Sequence, residues 1–181
     1  MSQRRAQVLQ AAIELLDEVG LDGLTMRLLA SRLGVRAGAL YRHYPSKQAL
    51  LDAMVAHLVV PPGEAVPPPL DGPWDERLRG LAIGTRELML AHRDGARLMS
   101  TFQNPGSEAV AFYHDLIATL AAAGVPADTA AAAVDTVMAY VNGYTTEEQA
   151  RSVATQPREF RDRAFRAGLE LIIAGVRASL P

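Results

Sequence analysis

Cysteine is absent from the sequence, which excludes disulfides and thiolate metal sites and suits a reducing compartment. Aromatic residues are few, at 6%, and the formal net charge over 181 residues is only −2, so the overall balance by itself points to no nucleic-acid partner. The four histidines, His43, His57, His92 and His114, lack metal-ligand spacing, and no nucleophile elbow or glycine-rich phosphate loop occurs. Neither catalysis nor a cofactor or metal is therefore expected. No apolar run reaches membrane-spanning length, and the first apolar stripe is broken by Glu14, Asp17 and Glu18, which a signal-peptide core would not tolerate. The sequence reads as that of a soluble, cytoplasmic protein.

What is abundant is alanine and leucine at helical spacing, and this predicts an all-α fold, since both residues lose little side-chain entropy in a helix. A first helix is expected over about 3–19, ended by a left-handed Gly20, and a second is capped by Thr25 and stopped by Gly34. A third, of about two turns, opens with Ala37 and ends before Pro45, and Ser46 caps a fourth. Pro61, Pro62, Pro67, Pro68, Pro69 and Pro73 then form a semi-rigid connector. The expected organisation is an N-terminal helix-turn-helix domain at 1–60, with the motif at 25–44, a connector at 61–73 and a helical body at 74–181. In the body, Asn104-Pro105-Gly106 reads as a turn. Val110, Tyr113, Ile117 and Leu120 form the stripe of a seventh helix, an eighth reaches about Arg151, and a last one runs from about Pro157 to Leu180.

Charge is unevenly spread. Between Leu24 and Gln48 lie Arg27, Arg32, Arg36, Arg42 and Lys47 and no acid, and the same window holds two short helices joined by a glycine-containing turn, the layout that places a second helix in a major groove. That helix opens with Ala37, Gly38 and Ala39, which have little bulk, so its backbone and amides can approach DNA. Arg42 is the best candidate for a bidentate guanine contact. Tyr41, Arg27 and Lys47 suit phosphate or a thymine methyl, and His43 lies beside them. Double-stranded DNA with a roughly palindromic site is the expected partner.

The ordered match of G-x-x-x-x-T-x-x-x-L-A-x-x-L-G-V from Gly20 and L-Y-x-H-x-x-x-K-x-x-L-L from Leu40 resembles the N-terminal domain of the tetracycline-repressor (TetR) family. By that resemblance Arg27, Ala37, Gly38, Ala39, Tyr41, Arg42, His43 and Lys47 occupy operator-contacting positions. The stretches HRDGAR at 92–97, EEQ at 147–149 and AFRAGLELIIAG at 164–175 resemble the tetracycline-repressor subgroup. They imply an omega-shaped homodimer whose eighth and last helices pack against their copies, and a body that binds a small molecule.

The departures from the subgroup shape the expected ligand. Met99 stands where those proteins have a histidine that helps bind the drug as a magnesium chelate, and a thioether does not ligate a hard cation. Leu81 and Thr85 replace polar or aromatic anchors, and Phe102, Gln103 and Asn104 replace a polar segment. The remaining candidates for the pocket are Leu78, Leu88, Tyr113, Ile117, Val137, Tyr140 and Tyr144, with Glu147 matching a position that approaches the partner's pocket. The ligand expected is small and mainly apolar or aromatic, with the tyrosine hydroxyls available to orient it. The last helix would supply the dimer seam through Gly168, Leu169, Ile172, Gly175 and Val176. A regulator without an inducer, an activator and, least of all, a helical enzyme stay open as other readings.

Overall fold

The computed structural model describes residues 3–59, 72–103, 107–150 and 156–180. The described residues are helical, without strands: α1 (Gln3–Gly23), α2 (Met26–Arg32), α3 (Ala37–Tyr41), α4 (Lys47–Val59), α5 (Trp74–Leu90), α6 (Gly95–Ser100), α7 (Ser107–Ala122), α8 (Ala127–Ala150) and α9 (Arg158–Arg177). Most of the Pro-rich connector and the Asn104-Pro105-Gly106 turn lie outside the described residues. Among the described residues no helix is long and apolar enough to cross a membrane. The chain forms two compact units, 1–64 with 88–105, and 65–87 with 106–181, so α5 contributes to both.

The first unit is built on α1, whose inward positions Val8, Leu9, Ala12, Leu15 and Leu16 meet Leu29 and Ala30 of α2, Leu40 of α3 and Leu50, Met54 and Val55 of α4. Gly20 takes φ 75° and ψ 174°, a conformation a Cβ would oppose, and the helix breaks there before one more turn to Gly23. The break frees the N–H of Leu21, which donates to Asp94 Oδ2 at 2.9 Å. Asp94 itself lies in the left-handed region at φ 55°, which aspartate tolerates better than bulkier residues. Around it, the backbone N–H of Arg93 donates to Asp17 Oδ1 at 2.9 Å, His92 Nδ1 lies 3.0 Å from Asp17 Oδ2, and Arg97 forks onto Asp22 at 2.9 and 3.1 Å.

This anchorage carries α6 into the same core. Leu98 is fully buried there, and Met99 and Phe102 pack against it. On the other side α4 holds the exit from α6: Gln48 Nε2 donates to the Thr101 carbonyl at 2.7 Å, and Asp52 Oδ1 accepts from the Gln103 N–H at 3.1 Å.

In the second unit α7, α8 and α9 pack with α5 around Leu78, Leu116, Leu120, Val134, Val137, Val141, Phe165, Leu169 and Ile173. The inward stripe of α7 runs through Leu116 and Leu120, whereas Val110 is exposed. The expected stripe is rotated because Arg77 of α5 is tied to Asp115 and Thr119 of α7, which fixes the side of α7 that faces α5.

Replacing Asp94 with alanine removes the acceptor for the Leu21 N–H and leaves a left-handed residue without a polar side chain. Asp94→Ala is expected to destabilise the protein by ~1–3 kcal/mol, read as a lower urea midpoint at unchanged slope. Asp94→Asn, which keeps both an acceptor and tolerance of the left-handed region, should recover most of the loss.

Candidate nucleic-acid interface and ligand-binding body

The Oγ1 of Thr25 caps α2 by accepting from the Leu28 N–H at 3.1 Å, and Ser46 Oγ accepts from the Ala49 N–H at 3.0 Å at the start of α4. Between them α3 has five residues rather than two full turns. It stops after Tyr41 because Tyr44 is drawn into the core, where its hydroxyl donates to the Arg5 carbonyl at 3.2 Å and the Arg5 guanidinium lies 5.0 Å from its ring centre. With Leu40 and Tyr44 turned inward, Gly38, Tyr41 and Arg42 are turned to solvent at spacing i, i+3, i+4.

Tyr41 is 47% exposed, far from a core aromatic. Ala37, Ala39 and His43 are half-buried, and Arg27 and Lys47 are exposed near the starts of α2 and α4. The expected contact residues thus lie on α2, α3, α4 and the turn after α3, all in the first unit. The guanidinium groups of Arg27 and Arg42 have no hydrogen-bond or ion-pair partner among the described residues.

In the second unit the polar centre is one that the apolar periodicity did not reveal. Arg86 of α5 is buried, with its Nε and Nη2 donating to Glu148 of α8 at 2.9 and 2.8 Å and its Nη1 to Asp162 of α9 at 2.8 Å. Its guanidinium also lies 4.9 Å from the centre of the Phe165 ring. Of the two adjacent glutamates in the EEQ stretch, Glu148 turns inward and Glu147 is exposed. Burial opposes ionisation of Asp162, but hydrogen bonding to Arg86 and the fields of Arg86, Arg158 and Arg166 hold its carboxyl below the ordinary range.

The three tyrosines expected to offer free hydroxyls have partners within the chain. Tyr113 donates to Asp135 at 2.9 Å, Tyr140 to the Phe165 carbonyl at 2.9 Å and Tyr144 to the Arg161 carbonyl at 3.3 Å. Tyr140 and Tyr144 also pack on Phe165, each at 5.4 Å between ring centres. Leu78 and Val137 are completely buried, while Leu81, Thr85 and Ile117 are half-buried. Leu88, Met99 and Phe102 belong to the first unit, and Met99 offers a thioether, a poor ligand for magnesium. Buried polar atoms without a hydrogen-bond partner in the second unit include Asn142 Oδ1 and Thr145 Oγ1.

Of the residues expected at the dimer seam, several are covered within the chain. Leu169 and Val176 are buried by their own chain, Ile172 is half-buried, and a Cβ on Gly168 would lie 2.2 Å from the Tyr140 hydroxyl. Gly168 is therefore small for α8–α9 packing within the chain. The outward stripe of α9 instead consists of Phe160, Ala164, Ala167, Leu171, Ala174 and Gly175, with Leu171 77% exposed.

A capped pair of short helices presenting arginines without a partner among the described residues, together with a helical body organised around a buried arginine, defines a helix-turn-helix regulator. Residues 8–54 match the model of bacterial regulatory proteins of the tetR family, and residues 66–163 match that of the tetracyclin repressor-like C-terminal domain. The chain belongs to the tetR family. It is 33% identical to the class C tetracycline repressor protein of Escherichia coli over 96% of this chain and 90% of that one. Among solved structures, a TetR variant from Acinetobacter baumannii AYE in complex with minocycline has a TM-score of 0.84 at 36% identity, covering 97% of this chain and 98% of that chain. BioQ with its double-stranded DNA operator has a TM-score of 0.74 at 34% identity, covering 96% and 98%.

Two outcomes follow for the second unit. Gly168→Ala pushes a Cβ into Tyr140 and is expected to destabilise by ~1–3 kcal/mol, measured by urea denaturation. Carboxyls with a depressed folded pKa, here Asp162 and Glu170, the latter held down by the hydrogen bond from Arg79, stabilise the fold above their unfolded values and lose that effect as pH falls through the folded ones. The melting temperature should therefore hold steady down to about pH 4.5 and fall below about pH 4, with a shallower fall in Asp162→Asn.

Proposed function

We propose that the protein is a homodimeric repressor that holds a roughly palindromic DNA operator and is released by a small, mainly apolar or aromatic molecule bound in its second unit. The observation that carries this reading is the outward set of Gly38, Tyr41 and Arg42 on and after α3, flanked by Arg27 and Lys47, which matches a reading helix with clamps on either side. BioQ, whose fold the chain shares, has been crystallised on its DNA operator, and the A. baumannii relative with minocycline. A catalytic role forms no part of this reading.

The apolar stripe of α9 through Ala164, Ala167, Leu171 and Gly175 suits a self-complementary seam with a second copy. Dimerisation sets the two reading helices about one DNA turn apart, ~34–36 Å. A ligand then acts by favouring a conformation in which that spacing is lost, and a hundredfold preference for it shifts the equilibrium by ~2.7 kcal/mol per molecule. With the tyrosine hydroxyls already engaged, the polar edge of such a ligand would meet Asn142 and Thr145.

Operator selection followed by titration tests the reading. Arg42→Ala should lose ~1–3 kcal/mol of discrimination at one base pair, Lys47→Ala should weaken all DNA alike and reduce the salt slope by about 0.9, and Leu171→Glu should give monomers with little operator affinity. A library of hydrophobic compounds should contain one that releases the operator without magnesium. Release by tetracycline with magnesium alone would overturn the reading of Met99, and no release by either would favour an inducer-free regulator.

A further inference from the structure

The five cations of the acid-free window are not equivalent once folded. Arg32 is taken up by Glu18 of α1, and Lys47 lies close enough to Asp22 to help lower the pKa of that carboxyl. Arg36, like Arg27 and Arg42, is exposed, and its side chain has no hydrogen-bond or ion-pair partner among the described residues. Arg36 is the residue immediately before α3, in extended conformation at φ −75° and ψ 143°, so its side chain starts beside the first turn of the reading helix rather than on a flanking one. The next three residues, Ala37, Gly38 and Ala39, have no side-chain donor or acceptor. A Cβ placed on Gly38 would meet nothing within 4 Å, so the surface beside Arg36 is open.

We infer that Arg36 is a second base-reading residue, which forks onto the O6 and N7 of a guanine in each operator half-site and so fixes a base pair that Ala37, Gly38 and Ala39 leave unread. The inference rests on the operator-binding reading above. The distinction from a phosphate clamp lies in position. Arg27 and Lys47 are rooted on the helices that flank α3, whereas Arg36 adjoins α3 itself, the helix that the operator-binding reading assigns to the base edges. A guanidinium is also the side chain whose fixed fork matches the two acceptors of guanine in the major groove. The half-site implied has two guanine-containing pairs, read by Arg36 and Arg42. Between them, the only side-chain contacts that Ala37 and Ala39 can supply are apolar ones, to thymine methyls.

The test is selection from a random duplex pool by the full-length wild type, Arg36→Ala and Arg32→Ala, followed by binding to the selected site and to its single-base variants over a range of salt. The expected result is that Arg36→Ala loses about ten- to a hundredfold discrimination at one guanine pair per half-site. The preference read by Arg42 should be retained, and Arg32→Ala should select the wild-type site. Unchanged helicity and melting temperature would show that Arg36→Ala still folds. A uniform loss across all sequences with a reduced salt slope would make Arg36 a phosphate contact and overturn the inference, as would a selected site identical to that of the wild type. If the wild type itself selected no site, the operator reading would fall along with it. If it selected a site that Arg36→Ala reproduces, only the role of Arg36 would fall.

Discussion

The N–H of Leu21 loses its place in the helical ladder where Gly20 turns left-handed, and the carboxylate of Asp94, more than seventy residues later, accepts it at 2.9 Å. An unmet donor at this partly buried position would be costly, so the chain between α5 and α6 must lie against the end of α1. Asp17, Glu18 and Asp22 then take His92, Arg93 and Arg97. With these anchored, Leu98 enters the core formed by α1 to α4, and the carbonyl and N–H groups of residues 101 and 103 come within reach of Gln48 and Asp52. The surface that carries the reading helix is thus held from both sides by residues distant in sequence.

The second unit depends on a different kind of constraint. Arg86 and Glu148 are removed from water together, which is favourable only because each of the three guanidinium nitrogens finds a carboxylate oxygen and the guanidinium face lies on Phe165. This arrangement fixes α5, α8 and α9 in one register, since a slip of any of them would leave a buried charge unpaired.

Helix boundaries were largely readable because they are set by local chemistry: Thr25 and Ser46 cap, and Gly20 and Gly34 stop. The glycine-containing turn and the small residues Ala37, Gly38 and Ala39 also mark the reading helix, although its length depends on Tyr44 reaching the core, which spacing alone does not reveal. The body was harder to read. An arginine or glutamate on a helix face reads as solvated, so the burial of Arg86 and Glu148 leaves no mark in the apolar periodicity. Tyrosines read as available hydroxyls, yet backbone carbonyls of α9 take those of Tyr140 and Tyr144, and Asp135 of α8 takes that of Tyr113. On α9, glycines at 168 and 175 look alike in sequence, yet one abuts Tyr140 and the other faces open space. Arg32 and Arg36 likewise differ only through Glu18, which no local pattern connects to either.

The burial of Leu98 bears on how the chain can be divided. The family match for the N-terminal domain ends at residue 54, yet the core it describes is closed by a leucine supplied after an excursion of some twenty residues through the other unit. During synthesis the first four helices can form early, but their core stays open until α6 has emerged from the ribosome. For anyone exchanging reading heads between relatives, the physical border is a double one. A graft cut after α4 sets one protein's head against another's α6, whereas one that carries residues 88–105 along brings its own keystone.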